Sequence, residues 1–262
     1  FGNTPIGKIN KLQIDSFMAK LQRENLKPAS INRIIAVLKH MYSSAYDYDY
    51  IGESTYKQIK KVKLLPVDNR KLRFLNSQEC MDLINACDAH IQPIVITAIN
   101  TGMRLSEILR LKWDNVDLHH GTIQVVDSKN HESRLIPINK NLRETLSNIH
   151  KDKRTPHVFI NPFTKKPYTE IKKSFASACK RAKINNCTFH TLRHTFASLL
   201  VMESVDLTTV KELMGHKDIK MTLRYAHLAK SHKENSVSKL DKIFSSGQKV
   251  GKSEELGKAN VA

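Results

Sequence analysis

No stretch of this 262-residue chain approaches the roughly 18 apolar residues that a membrane-spanning helix needs, and the N-terminus lacks the apolar run of a secretory signal. The four cysteines, Cys80, Cys87, Cys179 and Cys187, form no CxxC pair, which argues against a zinc knuckle or a disulfide framework. Reduced thiols in a cytosolic protein are the plain reading. No internal repeat is present, so a solenoid is excluded. Aromatics are sparse at 6%, and acidic residues are too few: 25 Asp+Glu face 43 Lys+Arg, for a formal charge of +18 and a pI near 9.7. An excess of that size repels itself in a compact fold, so it usually faces a polyanion. Nucleic acid is the first candidate; an anionic membrane surface and incidental surface charge are the others. The chain begins at Phe1, not Met, which leads us to expect a fragment missing an N-terminal part.

What is present is helical pattern, broken once. "KINKLQIDSFMAKLQREN" places Leu12, Ile14, Phe17, Met18 and Leu21 near helical spacing. Pro28 reads as a break and Ser30 as the N-cap of a second helix whose stripe is Ile31, Ile34, Ile35, Leu38 and Met41. A short third helix covers Ser54 to Ile59. We expect residues 1–64 to be a small helical domain, 65–72 an interdomain linker around Pro66, Asp68 and Asn69, 73–244 a second domain, and 245–262 a disordered polar tail. The second domain opens with helices, one of them stopped by Gly102. Its period then changes to two in "GTIQVVDSKNHESRLIPI", which predicts a β-hairpin, before helices resume and run to "KENSVSKLDKIF". The expected fold class is mainly α with a small antiparallel β-sheet.

Several polar residues sit at element edges in this pattern. In "TGMRLSEILRL" Arg104 opens a helix, where backbone N–H groups favour anions and a guanidinium adds a planar fork, and Glu107 lies one turn on, able to hold it. An ordinary surface salt bridge reads the same. In "HTLRHTFASLL" His190 and Arg193 are i and i+3, a two-pronged phosphate clamp if both face one way. A metal site through His190 and His194 lacks the glutamate of HExxH and a nearby carboxylate. Lys129 lies in the hairpin turn, as a solvated cation or as a fixed general acid to an alkoxide. In "LMGHKDIKMTLRYAHL" Gly215 stops a helix ahead of His216, and Tyr225 follows beside Arg224 and His227. Taken alone, Tyr225 reads as a core residue. As part of the set it reads as a nucleophile, reachable and with a pKa below its ordinary value of about 10 because cations favour phenolate. Two arginines, two histidines, a lysine and a tyrosine answer the demands of attack on a phosphodiester, with protein cations in the place of Mg²⁺.

At these motifs the sequence resembles the tyrosine recombinases of the phage integrase type: "TGMRLSEILRLKWDNVDL", "SKNHESRLIPI", "HTLRHTFASLL", "LMGH" and "LRYAHL" fall in the family's order and spacing, over roughly residues 73 to 243. Thr191 stands where many relatives have aspartate. The resemblance implies a helical core-binding domain over 1–64 and an α+β catalytic domain over 73–244, the two clamping duplex DNA. It implies that Tyr225 forms a 3′-phosphotyrosyl link, that Arg104 and Arg193 hold the non-bridging oxygens, and that His190 assists proton transfer. His216 would hydrogen-bond the phosphate, Lys129 protonate the leaving oxygen and Glu107 support the arginine. No metal, ATP or other cofactor is expected. The expected partners are double-stranded DNA attachment sites, a homotetramer working through a Holliday junction, and accessory DNA-bending or directionality factors, in a cytoplasmic, nucleoid-associated setting without membrane. The C-terminal helix, with Val237, Leu240, Ile243 and Phe244 as its stripe, would pack on a neighbouring protomer or in cis. Relatives often carry a further N-terminal arm-binding domain, which we expect to be the part missing before Phe1.

The expected activity is site-specific recombination in integration or excision of a phage or mobile element, with chromosome-dimer resolution of the Xer kind or a non-catalytic DNA-binding regulator as alternatives. A type IB topoisomerase, a telomere resolvase and a metal-dependent nuclease are further rivals. Whichever holds, a charge excess that serves DNA predicts that log affinity for duplex falls linearly with log salt, in proportion to the phosphates contacted. Fluorescence anisotropy on a labelled duplex across a salt series measures this, and a flat response would remove DNA as the reason for the charge.

Overall fold

A computed structural model describes residues 1–67, 72–126, 133–151 and 154–229. The chain divides into two compact units, Phe1–Lys71 and Leu72–Ala262. Among the described residues no helix is long and apolar enough to cross a membrane.

The first unit holds α1 (Lys11–Arg23), α2 (Pro28–Asp47) and α3 (Glu53–Lys60). A capping box starts α1: the Asn10 side chain accepts from the Gln13 N–H, and the Gln13 side chain accepts from the Asn10 N–H. Pro28 does not break the chain as expected, and Ser30 is not the cap. Proline occupies the first turn of α2, where its missing N–H has no intrahelical partner to lose. The buried stripe is also narrower than the pattern suggested. Ile14, Met18, Leu21, Ile31, Ile35 and Tyr42 are buried, while Leu12, Ile34 and Met41 lie exposed, because each helix covers one face only. Side chains of α2 hold the unit's far end. Lys39 Nζ donates to the carbonyls of Lys60 (3.1 Å) and Val62 (2.5 Å), satisfying acceptors at the end of α3. Asn32 donates to the Leu65 carbonyl and accepts from its N–H, both at 2.8 Å.

In the second unit α4 (Ser77–Ala86), α5 (Gln92–Thr101) and α6 (Leu105–Leu109) precede a three-stranded antiparallel sheet in the order β1 (Val116–Asp117), β2 (Thr122–Val126), β3 (Ser133–Pro137). The predicted hairpin is β2–β3, in register at Ile123 and Ile136, and β1 is an edge too short to show alternation in sequence. There follow α7 (Lys140–Ser147), α8 (Lys172–Arg181), α9 (Phe189–Met202), α10 (Leu207–Met214), α11 (Lys220–Leu223) and a 3₁₀ turn, Ala226–Leu228. The sequence predicted one helix through Tyr225; instead α11 ends at Leu223 and Tyr225 lies between it and the 3₁₀ turn. The hairpin turn with Lys129, part of the expected linker, the predicted C-terminal helix and the tail lie outside the described residues.

Helix α9 is the axis of this unit. Its N-terminal half faces the main core of Leu83, Ile91, Ile94, Ala98, Ile108 and Leu192, and its C-terminal half builds a second cluster with Val210, Met214 and Tyr225. Thr195 ties the start of the unit to α9: its hydroxyl accepts from the Leu75 N–H and donates to the Thr191 carbonyl, each at 2.9 Å. Gly102 closes α5 in the left-handed region (φ +62°) and turns the chain into Arg104; a Cβ there would run into the Phe196 ring. Gly102→Ala is therefore expected to cost at least about 1–2 kcal/mol, the left-handed penalty alone. A urea midpoint unchanged from wild type would contradict this account of the turn.

Candidate active site

Four separate stretches deliver the described residues singled out from sequence, Arg104 with Glu107, His190 with Arg193, His216, and Tyr225. Arg104 does not sit inside the first turn of α6, as expected, but occupies its N-cap in an extended conformation. Glu107 holds it there: its carboxylate accepts from the Arg104 backbone N–H (2.8 Å) and from Arg104 Nη1 (2.7 Å). The same carboxylate takes Arg134 of β3, with Nη2 at 2.7 Å and Nη1 at 3.3 Å. One half-buried acid thus sits between two guanidinium groups.

Arg193 projects from α9 between two turns. Its Nη1 donates to the Gly102 carbonyl (2.5 Å) and its Nη2 to the Met214 carbonyl (2.6 Å), and the residue is only 3% exposed. The arginine thereby ties the end of α5, just before Arg104, to the end of α10, just before His216. Gly215 closes α10 with φ +63° and releases His216, which is buried and shares a hydrogen bond from Nδ1 to Thr222 Oγ1 of α11 at 2.9 Å. His190 keeps an exposed edge on the first turn of α9, one turn from His194, with the two rings edge to face at 4.6 Å. A recess of about 130 Å³ is lined by Arg104, Arg134, Lys211, Gly215 and His216, among others.

Tyr225 is the correction. The sequence reading made it reachable, yet it is 1% exposed, its ring lying in the cluster of Phe196, Val201, Val210 and Met214. The hydroxyl is not abandoned in that apolar setting: it meets His194 Nδ1 at 2.7 Å. Its pKa is raised instead of lowered, because burial outweighs the opposing fields of Arg224 and Arg193. Buried polar groups keep partners, and here the partner is an imidazole that sequence reasoning weighed only as a metal ligand.

Comparison with known proteins places the chain in a family. Residues 73–232 match the model of the Phage integrase family. The chain belongs to that family. It is 29% identical over 209 residues to the integrase of Salmonella phage P22, covering 74% of this chain and 54% of the relative. It is 31% identical over 243 residues to the tyrosine recombinase XerD of Listeria monocytogenes, covering 85% of this chain and 79% of the relative. The chain therefore spans about half the length of the P22 protein. In fold it is similar to a lambda integrase dimer bound to a COC′ core site, with a TM-score of 0.73 at 20% identity over 86% of this chain and 82% of that one.

The basic groups of this cluster act on one another's protonation. Burial lowers the pKa of His194 to about 4, helped by His190, Arg224 and Arg193, and lowers that of His216 to about 4, helped by Arg193, Arg104 and Arg134. His190 is also lowered, by burial and then by Arg193, Arg224 and Arg104. Burial brings even Arg193 down to about 10, with Arg104 adding to the shift. Glu107 runs the other way. Burial works to raise its pKa, but the hydrogen bond and charge of Arg134, with the contributions of Arg104, hold it below its ordinary value. The basic groups thus converge. Arg134 was not singled out from sequence and His194 was weighed only as a metal ligand; their side-chain partners here, Glu107 and Tyr225, lie far along the chain.

These histidines set a pH dependence. A folded-state pKa near 4 against 6.5 for a free imidazole means that the unfolded chain binds the proton more tightly. The stability these groups contribute is complete above about pH 6.5 and drains away as pH falls toward 4. Urea midpoints should decline over that window, and His216→Gln should lessen the decline; a midpoint constant from pH 7 to 5 would contradict the buried, neutral state.

Proposed function

We propose that this chain is a DNA strand transferase that performs site-specific recombination, breaking and rejoining DNA through a 3′-phosphotyrosyl intermediate without metal or ATP. The observation that carries the reading is that Arg193 is bonded to the turns that present Arg104 and His216, with His190 one turn away on α9 and Tyr225 bonded to His194 of the same helix. Membership of the Phage integrase family supports it. In the reaction the Tyr225 oxygen bonds to phosphorus as the bond to the 5′ oxygen breaks. Arg104 and Arg193 hold the non-bridging oxygens and take up the charge of the transition state, where fixed donors act most strongly. His216 hydrogen-bonds the phosphate, His190 assists removal of the phenol proton, and Lys129 supplies a proton to the departing 5′ oxygen. Glu107 keeps Arg104 in place. The phosphotyrosyl ester retains the energy of the broken bond, so a 5′-hydroxyl from another strand reverses the step.

Residues 1–64 act as a core-binding domain, 65–72 as a linker and 73–244 as the catalytic domain. The partners are duplex attachment sites, three further copies of the chain on a Holliday junction, and accessory DNA-bending or directionality factors. The biological role is integration or excision of a phage or mobile element; the XerD relative makes chromosome-dimer resolution the alternative. Mapping the DNA ends trapped on the protein separates the two.

A nucleophile bonded to His194 and 1% exposed does not reach a phosphate. In this reading the bond stores Tyr225 in a resting position, and DNA binding draws out the short segment that carries it. With His194 neutral, its Nδ1 accepts the phenol hydrogen when the ring is protonated at Nε2. A pool of nicked duplexes with randomised cores supplies the test, because cleavage beside a nick releases the leaving strand and traps the adduct. Wild type should yield SDS-resistant protein–DNA adducts with EDTA present, and Tyr225→Phe should yield none. Adducts that persist in the Phe variant, or cleavage that EDTA abolishes, would sink the proposal.

A further inference from the structure

Arg134 is an arginine on the wrong face of a strand. In β3 it shares the inward side with Ile136, opposite Val125 of β2, while Leu135 points outward and is 63% exposed. An inward charge at the expense of a leucine is costly unless something satisfies it. Arg134 is satisfied three times over. Two nitrogens grip the Glu107 carboxylate, and Nε donates to the Leu213 carbonyl at 3.0 Å. It also lies against Gly215, where an added Cβ would come within 2.8 Å of Arg134 Nη1.

These contacts join, from β3, the same two parts of the site that Arg193 ties from α9. Arg193 takes the Met214 carbonyl, and Arg134 takes the Leu213 carbonyl beside it, so two guanidinium groups from different elements cap the last carbonyls of α10. That cap sets where Gly215 turns and where His216 emerges. At its other end Arg134 supports the ionised Glu107, which holds Arg104 through one guanidinium nitrogen. With the acid shared, Arg104 keeps a net positive charge and further donors for an anion.

We infer that Arg134 is a positioning residue for strand cleavage, fixing Arg104 through Glu107 and His216 through the α10 terminus, without itself touching the DNA phosphate. The inference rests on the proposed phosphotyrosyl reaction. A planar fork carrying three bonds at fixed angles is not reproduced by a lysine, which keeps only the charge. Arg134→Lys and Arg134→Gln should therefore behave alike.

The test uses the nicked duplex selected by wild type. Single-turnover adduct formation should fall about 10- to 100-fold in both variants, the scale of a small misplacement of reacting groups. The dissociation constant and its salt slope should match wild type, since slope counts phosphates contacted. Urea midpoints establish that each variant is folded at the assay temperature, and the lysine form guards against loss of the glutamine form. Wild-type cleavage by Arg134→Lys, or a salt slope reduced by about one contact in Arg134→Gln, overturns the inference. Failure of wild type to form any adduct overturns the strand-transfer reading beneath it, which is a distinct result.

Discussion

Glu107 is the anion around which this site is arranged. Like charges brought into a partly dry space repel strongly, and Arg104, Arg134 and Arg193 lie close enough to shift the pKa of one buried histidine together. A carboxylate between two of them relieves that repulsion without cancelling the local excess of positive charge. The same carboxylate accepts the N–H of Arg104 and so closes the first turn of a helix only five residues long. A neutral glutamine would keep part of the geometry and lose the charge balance. Removing one partner of this part-buried network leaves the remaining charges uncompensated.

Around that anion the frame is rigid for a specific reason: its arginines bind backbone as well as side chain. Arg193 and Arg134 end on the carbonyls of Gly102, Leu213 and Met214, which belong to the two glycine-closed helix ends that present Arg104 and His216. Gly102 and Gly215 both adopt left-handed φ, so each turn leaves its helix in a set direction. The hydrogen bonds that cap these helix ends also place Arg104 and His216.

Much of this was legible in the sequence, and what was not has a common cause. Helix existence, the hairpin and the glycine stops follow from periodicity and local backbone preference. Arg104 with Glu107, and His190 one turn from Arg193, are local pairs, so spacing reveals them. Arg134 and His194 find their partners 27 and 31 residues away, and no local pattern encodes that. A clue to Arg134 lay in "SRLIP", where burying the arginine face leaves Leu135 outside. Tyr225 was misjudged because cationic neighbours are visible in sequence and burial is not. Pro28 was read as a break because its role depends on which turn of the helix it occupies.

The segment that carries Tyr225 is built on opposite principles to the cations. α11 has four residues, too few to hold a helix by its own hydrogen bonds, and Met221 and Leu223 on it and Ile219 at its N-cap are exposed. What retains it is the Tyr225 ring in the second cluster, the Thr222 contact to His216, and the phenol on His194. Each of these is a contact to the frame, not within the segment. Drawing out the ring forfeits roughly 1.5–3 kcal/mol of apolar burial and one hydrogen bond, an amount that a handful of phosphate contacts can offset. For the proposed strand transfer this asymmetry has a use: the arginines and histidines would stand ready for a phosphate, while Tyr225 would stay engaged on His194 until binding supplied the difference.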